Sequence, residues 1–272
     1  MKMFLSAVRK LRRRAATIVT FGLLGGLLTL IIIAVATTGG GDGGPGGGGN
    51  PEFDPLTFVT FPAAYEIVLG FILQIGGLFA LIYGAAIAGS EWSWGTLKAA
   101  VARGESRSRY MLSLFAAVAL VTAFGLLFTF VVGVVAAAVG ATIAGVPLDG
   151  MNDTQRLMDL AEPFARGLVG ITAQGALGFA IATLARSQLA GIGAGIGLYL
   201  GGAFATIFLP DIVKYLPAQL ASAAVGDGGG FGGGQQSANV VAPDVAVLLL
   251  AVWLVGSLVV AAGFSERAEI TG

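Results

Sequence analysis

Six long runs of this sequence contain no charged residue: 15–41, 67–90, 110–148, 167–185, 187–210 and 245–265. A helix needs about 20 mostly apolar residues to cross a bilayer, so each run is close to that length or beyond it. Water is absent from the bilayer core, so a crossing segment must satisfy its own backbone, and a helix does so. The first run loses its tail to glycines, which trims its helix to about 15–36. The run 228–243 is also uncharged, but it holds Gly, Gln, Ser and Asn and is no span. The 39-residue run 110–148 is nearly long enough for two spans, yet no Pro, Asn or Asp punctuates its middle, so it reads as one long helix.

The reading is an all-α integral membrane domain filling 1–272. Its six transmembrane helices lie at about 15–36, 64–89, 110–140, 164–185, 188–209 and 243–264. A soluble alternative fails on charge. Only 11% of the residues are charged and 56% are hydrophobic, against about 25% charged in ordinary soluble domains.

Charge also sets the orientation. With six spans and both termini cytoplasmic, the inner segments hold 12 of the 15 basic residues, from Lys2 to Arg14, Lys98 to Arg109, Arg186 and Arg267. The outer segments keep only Arg156, Arg166 and Lys214, among eleven acidic residues. That is the positive-inside pattern. Splitting 110–148 in two would bring the acidic 149–162 loop inside. The basic start and Ala34-Val35-Ala36 resemble a signal peptide with its cleavage site, but the apolar run exceeds the 7–15 residues usual for such a segment. An uncut anchor is expected.

Residues 1–14 form an amphipathic pattern. Phe4, Val8 and Leu11 fall at helical spacing among Arg9, Lys10, Arg12, Arg13 and Arg14. An interfacial helix that attracts anionic membrane lipids is expected. Outside, short helices are expected over 151–161, capped by Asn152 or Asp153, and over 211–225. The Gly-rich loops 37–60 and 226–240 lack the Lys-Ser/Thr that a phosphate-binding loop requires and read as linkers.

Several chemistries are excluded outright. The chain has no Cys and no His, so disulfides, thiolate nucleophiles, His-ligated zinc and His-based acid–base catalysis are impossible within it. Its net charge is zero, which speaks against nucleic acid as a partner. No Asp, Glu, Lys or Arg lies at a predicted midplane, which weighs against an ion-coupled carrier. The polar span residues include Gln74, Gln174, Thr122, Thr129, Thr172 and Tyr199, a type that mostly serves as glue between helices. The fifth span carries Gly191, Gly193, Gly195, Gly197 and Gly201 in small-xxx-small registers. These suit either packing within one subunit or a dimer seam.

The most informative segment joins the second and third spans, Gly89 to Arg109. Ser90 is expected as an N-cap, with Glu91 in the first turn of a short cytosolic helix. Trp92, Trp94 and Leu97 supply apolar anchors, and Lys98, Arg103, Arg107 and Arg109 supply charge. Two tryptophans are more than a plain connector needs, so a docking element is expected.

Here the sequence resembles the membrane subunits of type-2 ABC exporters, the permeases of bacitracin, sodium and multidrug efflux systems. Those proteins carry a Glu, then Gly-Thr-Leu-Lys or Gly-Thr-Leu-Arg, then a Pro-x-Ser-Arg turn. Glu91, Gly95-Thr96-Leu97-Lys98 and Ser106-Arg107 match. Glu105 replaces the Pro, and Ser113 replaces a Lys six residues past the Arg. The tiny inner turn Arg186-Ser187-Gln188 and the prolines Pro210 and Pro217 also fit that layout.

The resemblance implies a non-catalytic permease in a prokaryotic cell membrane, a homodimer or a heterodimer with a related permease. A separate cytosolic ABC ATPase would dock on 91–109 and bind ATP and Mg, with no cofactor on this chain. Glu91, Trp94, Gly95, Thr96, Leu97, Lys98, Arg103 and Arg107 would then form the coupling site. A membrane scaffold, or a stand-alone carrier or channel, is the alternative.

Overall fold

The computed structural model describes residues 2–39, 55–226 and 241–268. Most of both Gly-rich loops therefore lies outside the described residues. Among these residues the chain is helical, with no strand. The helices are α1 (Lys2–Arg12), α2 (Ala15–Gly39), α3 (Ala63–Ser93), α4 (Thr96–Ala102), α5 (Arg107–Ala144), α6 (Thr154–Asp159), α7 (Ala161–Ala185), α8 (Gln188–Ala205), α9 (Pro210–Val213), α10 (Pro217–Val225) and α11 (Pro243–Arg267). A 3-10 turn covers Pro55–Phe58.

Six helices are long and apolar enough to cross a membrane: α2, α3, α5, α7, α8 and α11. Each of the six charge-free runs thus falls largely in a helix long and apolar enough to span, as a multi-pass membrane protein requires. The long run is a single helix of 38 residues, about 57 Å at 1.5 Å per residue. That exceeds a hydrocarbon core of about 30 Å, so α5 projects beyond it.

Two helices form the middle of the bundle. In α3 67% of the apolar window is buried and in α7 61%, against 17–28% for the other four. Close approach of backbones explains why these two pair. A Cβ on Gly84 would lie 2.2 Å from the Gly175 carbonyl oxygen, and one on Gly178 would lie 2.1 Å from that of Leu81. Without a hydrophobic drive between helices in lipid, such small-residue contacts are what dispersion needs. Helices α8 and α11 flank this pair through α3 and α7, while α2 packs on α5.

One end of the bundle gathers α1, α4, the α7–α8 turn and the end of α11. The apolar face of α1 is not left to lipid. Leu11 is fully buried, with Phe4, Ala7 and Val8 packed onto the same cluster as Leu97, Met111 and Phe115. Arg107 Nη1 donates to the carbonyls of Ser265, Glu266 and Ala268, at 2.6 Å for the last. At the opposite end Arg166 bridges Glu162 (2.7 Å) and Asp244 (2.9 Å), tying α7 to α11. The expected outer helices are present there. Asp153 caps α6 by accepting from Arg156 N, and 211–225 resolves into α9 and α10, each with Pro in its first turn.

Two expectations about the 89–109 segment are corrected. Ser90 and Glu91 do not start the short helix: they lie in the last turn of α3, which runs on to Ser93. The short helix begins at Thr96, after Gly95 at φ 65°. Of the three residues read as anchors, Leu97 is buried, Trp92 half-buried and Trp94 65% exposed.

The glycines of α8 divide by face. A Cβ on Gly191 would meet that of Ala182 at 2.4 Å, and one on Gly195 would meet Leu81 at 2.2 Å. These two serve packing within the subunit. Gly193, Gly197 and Gly201 have nothing within 4 Å.

Candidate functional site

Glu91 lies in the last turn of α3, and its charge is neutralised by a distant part of the chain. Lys10 Nζ donates to both Glu91 oxygens, at 2.7 and 3.0 Å, and Arg14 Nη2 donates to Oε1 at 2.8 Å. Glu91 itself is fully buried. Two hydroxyls complete its shell, Thr96 and Tyr110, each donating to Oε2 at 2.5 Å. The carboxylate thus accepts five hydrogen bonds from four side chains, filling the four or so lone-pair sites it offers. Such charge-assisted bonds are about twice as strong as neutral ones.

The donors come from separate segments. Lys10 is on α1, Arg14 sits at the α1–α2 junction, Thr96 opens α4 and Tyr110 is in the first turn of α5. Arg14 also reaches beyond the carboxylate. Its Nη1 donates to Ser90 Oγ at 2.7 Å, and its guanidinium lies 5.0 Å from the centre of the Trp94 ring. Glu91 is therefore the knot where the N-terminal helix, two spans and the short helix meet.

Helix α4 hangs from this knot. Its inner face, Leu97 and Ala100, is buried, while Lys98, Ala99, Ala102 and Arg103 are exposed. The turn into α4 depends on Gly95. Nothing lies within 4 Å of a Cβ built there, so close packing is not what requires a glycine. What demands glycine is the left-handed φ of 65°, which costs other L-residues about 1–2 kcal/mol.

Next to the knot, Arg186 caps α7 at φ 49° and lies over both the Trp92 and Phe264 rings, at 5.6 and 5.2 Å. This joins the α7–α8 turn to the end of α3 and to α11.

Of the expected coupling residues, Glu91, Trp94, Gly95, Thr96, Leu97 and Lys98 sit together around the knot. Arg103 ends α4 on its exposed side. Arg107 points away to α11. Sequence reasoning missed Lys10, Arg14, Tyr110 and Arg186. The basic run at 9–14 was visible, but nothing local shows that two of its members pair 77 and 81 residues away. The described residues contain no group of three or more acidic, Cys or His side chains that could hold a metal ion.

A family model described as "Protein of unknown function (DUF2705)" matches residues 56–262, well over half the chain. Comparison with the curated proteins finds no match.

Proposed function

The chain belongs to the DUF2705 family, and for this member we propose the membrane-spanning permease subunit of an ABC exporter. A separate cytosolic ATPase docks on the 91–109 segment and supplies ATP hydrolysis; this chain carries no Walker A sequence. The basic end of the bundle, with both termini, α4 and the α7–α8 turn, faces the cytoplasm, in keeping with the positive-inside rule. Two such subunits, or one and a related permease, pair in the membrane.

One observation carries this reading. Helix α4 is a short helix with an exposed outer face, yet its first residue is bonded to a buried carboxylate held by α1, the α1–α2 junction and α5. A plain connector has no need of such an attachment. A docking element does, because force applied to it must move the spans rather than bend a loop. Glu91 is a positioning residue in this scheme: fully buried, it does not touch the ATPase, and it acts through Thr96 and the N-terminal helix.

The test is to purify the tagged chain from its native membrane and assay ATP hydrolysis. A co-purifying ATPase chain, with activity that changes on reconstitution and falls in Glu91→Ala, supports the proposal. Purification alone or with chains lacking nucleotide-binding sequences favours a membrane scaffold instead.

A further inference from the structure

The knot at Glu91 leaves the polar residues in the far half of the bundle unexplained. Between α3, α7, α8 and α10 lies a chamber of about 300 Å³, at the lower end of the roughly 300–1,000 Å³ of small-molecule sites. Its polar lining is Gln74, Gln174, Tyr199, Gln219 and Ser222, with no charged side chain.

Gln174 is the telling residue. It is 2% exposed, and its carboxamide oxygen has no hydrogen-bond partner. A glutamine serving only as glue between helices would be paired, because a buried unpaired acceptor is costly. Gly77 makes room for the carboxamide: a Cβ there would lie 2.4 Å from it. The Tyr199 hydroxyl donates its proton to the Gln74 carbonyl at 2.8 Å, so its oxygen is left with acceptor capacity only. Gln174 and Tyr199 thus both offer acceptors. A ligand here brings O–H or N–H donors, and no charge, since no counter-charge is present.

The chamber continues into a narrow apolar cleft. The two share Gln174, Tyr199, Ala218 and Gln219, and the cleft adds Leu81, Leu198 and Leu216. Leu198 is 39% exposed, so the cleft opens on the outer surface of the bundle.

We propose that this chamber binds an uncharged amphiphile, with a hydroxyl- or amide-bearing head beside Gln174 and Tyr199 and an apolar chain along Leu198. The inference goes beyond the transporter reading and stands without an ATPase, because binding is measured on the purified chain.

The native chain has no cysteine, so Ser222→Cys places a single reporter in the chamber wall. In lipid nanodiscs its alkylation by N-ethylmaleimide is timed with 1-monooctanoylglycerol, octanoate or octyltrimethylammonium present. Monooctanoylglycerol is expected to slow the reaction about five-fold, the charged probes little, and Gln174→Leu to reduce that protection to under about two-fold, the loss of one hydrogen bond. Equal slowing by all three probes is bilayer partitioning and overturns the proposal. No slowing by any probe means a chamber that holds only water, and does the same. Retained protection in Gln174→Leu overturns the assigned contact. If Gln174→Leu does not fold, the charge selectivity of the Ser222→Cys chain decides alone.

Discussion

Replacing Glu91 with Ala removes the acceptor of four side chains, and the consequences differ by donor. Lys10 is 35% exposed, so it turns to solvent at small cost, as surface pairs are worth about 0–1 kcal/mol. Arg14 is only 11% exposed. It keeps Ser90 and the Trp94 ring but loses its counter-charge. Breaking a buried pair costs about 3–5 kcal/mol, and the lower end applies to a cation with some access to water. Helix α4 loses the bond from Thr96 to an ionised acceptor, worth about 1.5–3 kcal/mol. At about 2 kcal/mol, local release of α4 rises about 30-fold. The assay uses Ala100→Cys, since Ala100 is 1% exposed on the inner face of α4. Its alkylation rate follows the fraction of time that α4 is released. Adding Glu91→Ala should raise the rate about 30-fold, and Glu91→Gln, which keeps an acceptor oxygen without the charge, should fall between. A rise of less than about three-fold, under 1 kcal/mol, would refute the claim that this carboxylate holds α4.

Three further outcomes are expected. Gly95→Ala and Gly95→Val should each raise Ala100→Cys alkylation, Ala by about ten-fold from the positive φ alone, while Gly95→Asn, better suited to that region, is milder. Gly191→Ala should lower stability by about 1–3 kcal/mol through overpacking against Ala182, read as an earlier loss of the monodisperse peak when heated samples are run on size exclusion, while Gly193→Ala, facing open space, should be neutral in that assay. Ser106→Cys should resist an impermeant thiol reagent added outside intact cells and react once the membrane is opened; labelling from outside would reverse the orientation.

The spans were legible because charge is excluded from an apolar layer, and the runs between charges mark them directly. The partners of Glu91 were not legible. It reads as the first charged residue after the second span, and α3 runs on past it to Ser93. Two cations from the N-terminal helix and its junction neutralise it, and no local pattern reports a partner 81 residues away. Trp94 reads as an apolar anchor of a docking element, and it stands outward with Arg14 against one face. The α8 glycines show the limit of spacing: two registers are equally visible, and only the packing of Ala182 and Leu81 selects Gly191 and Gly195 as the inner one. Gln174 was visible as a polar span residue, but its missing partner is a fact of three-dimensional packing.

The proposed coupling turns on contact between the outer face of α4 and an ATPase. A photo-reactive phenylalanine analogue at Ala99, exposed on that face, tests it in the native membrane. A cross-link to a chain carrying a Walker A sequence is expected, weakened in Glu91→Ala at equal expression. Adducts to lipid alone, or to chains without any nucleotide-binding sequence, would contradict it.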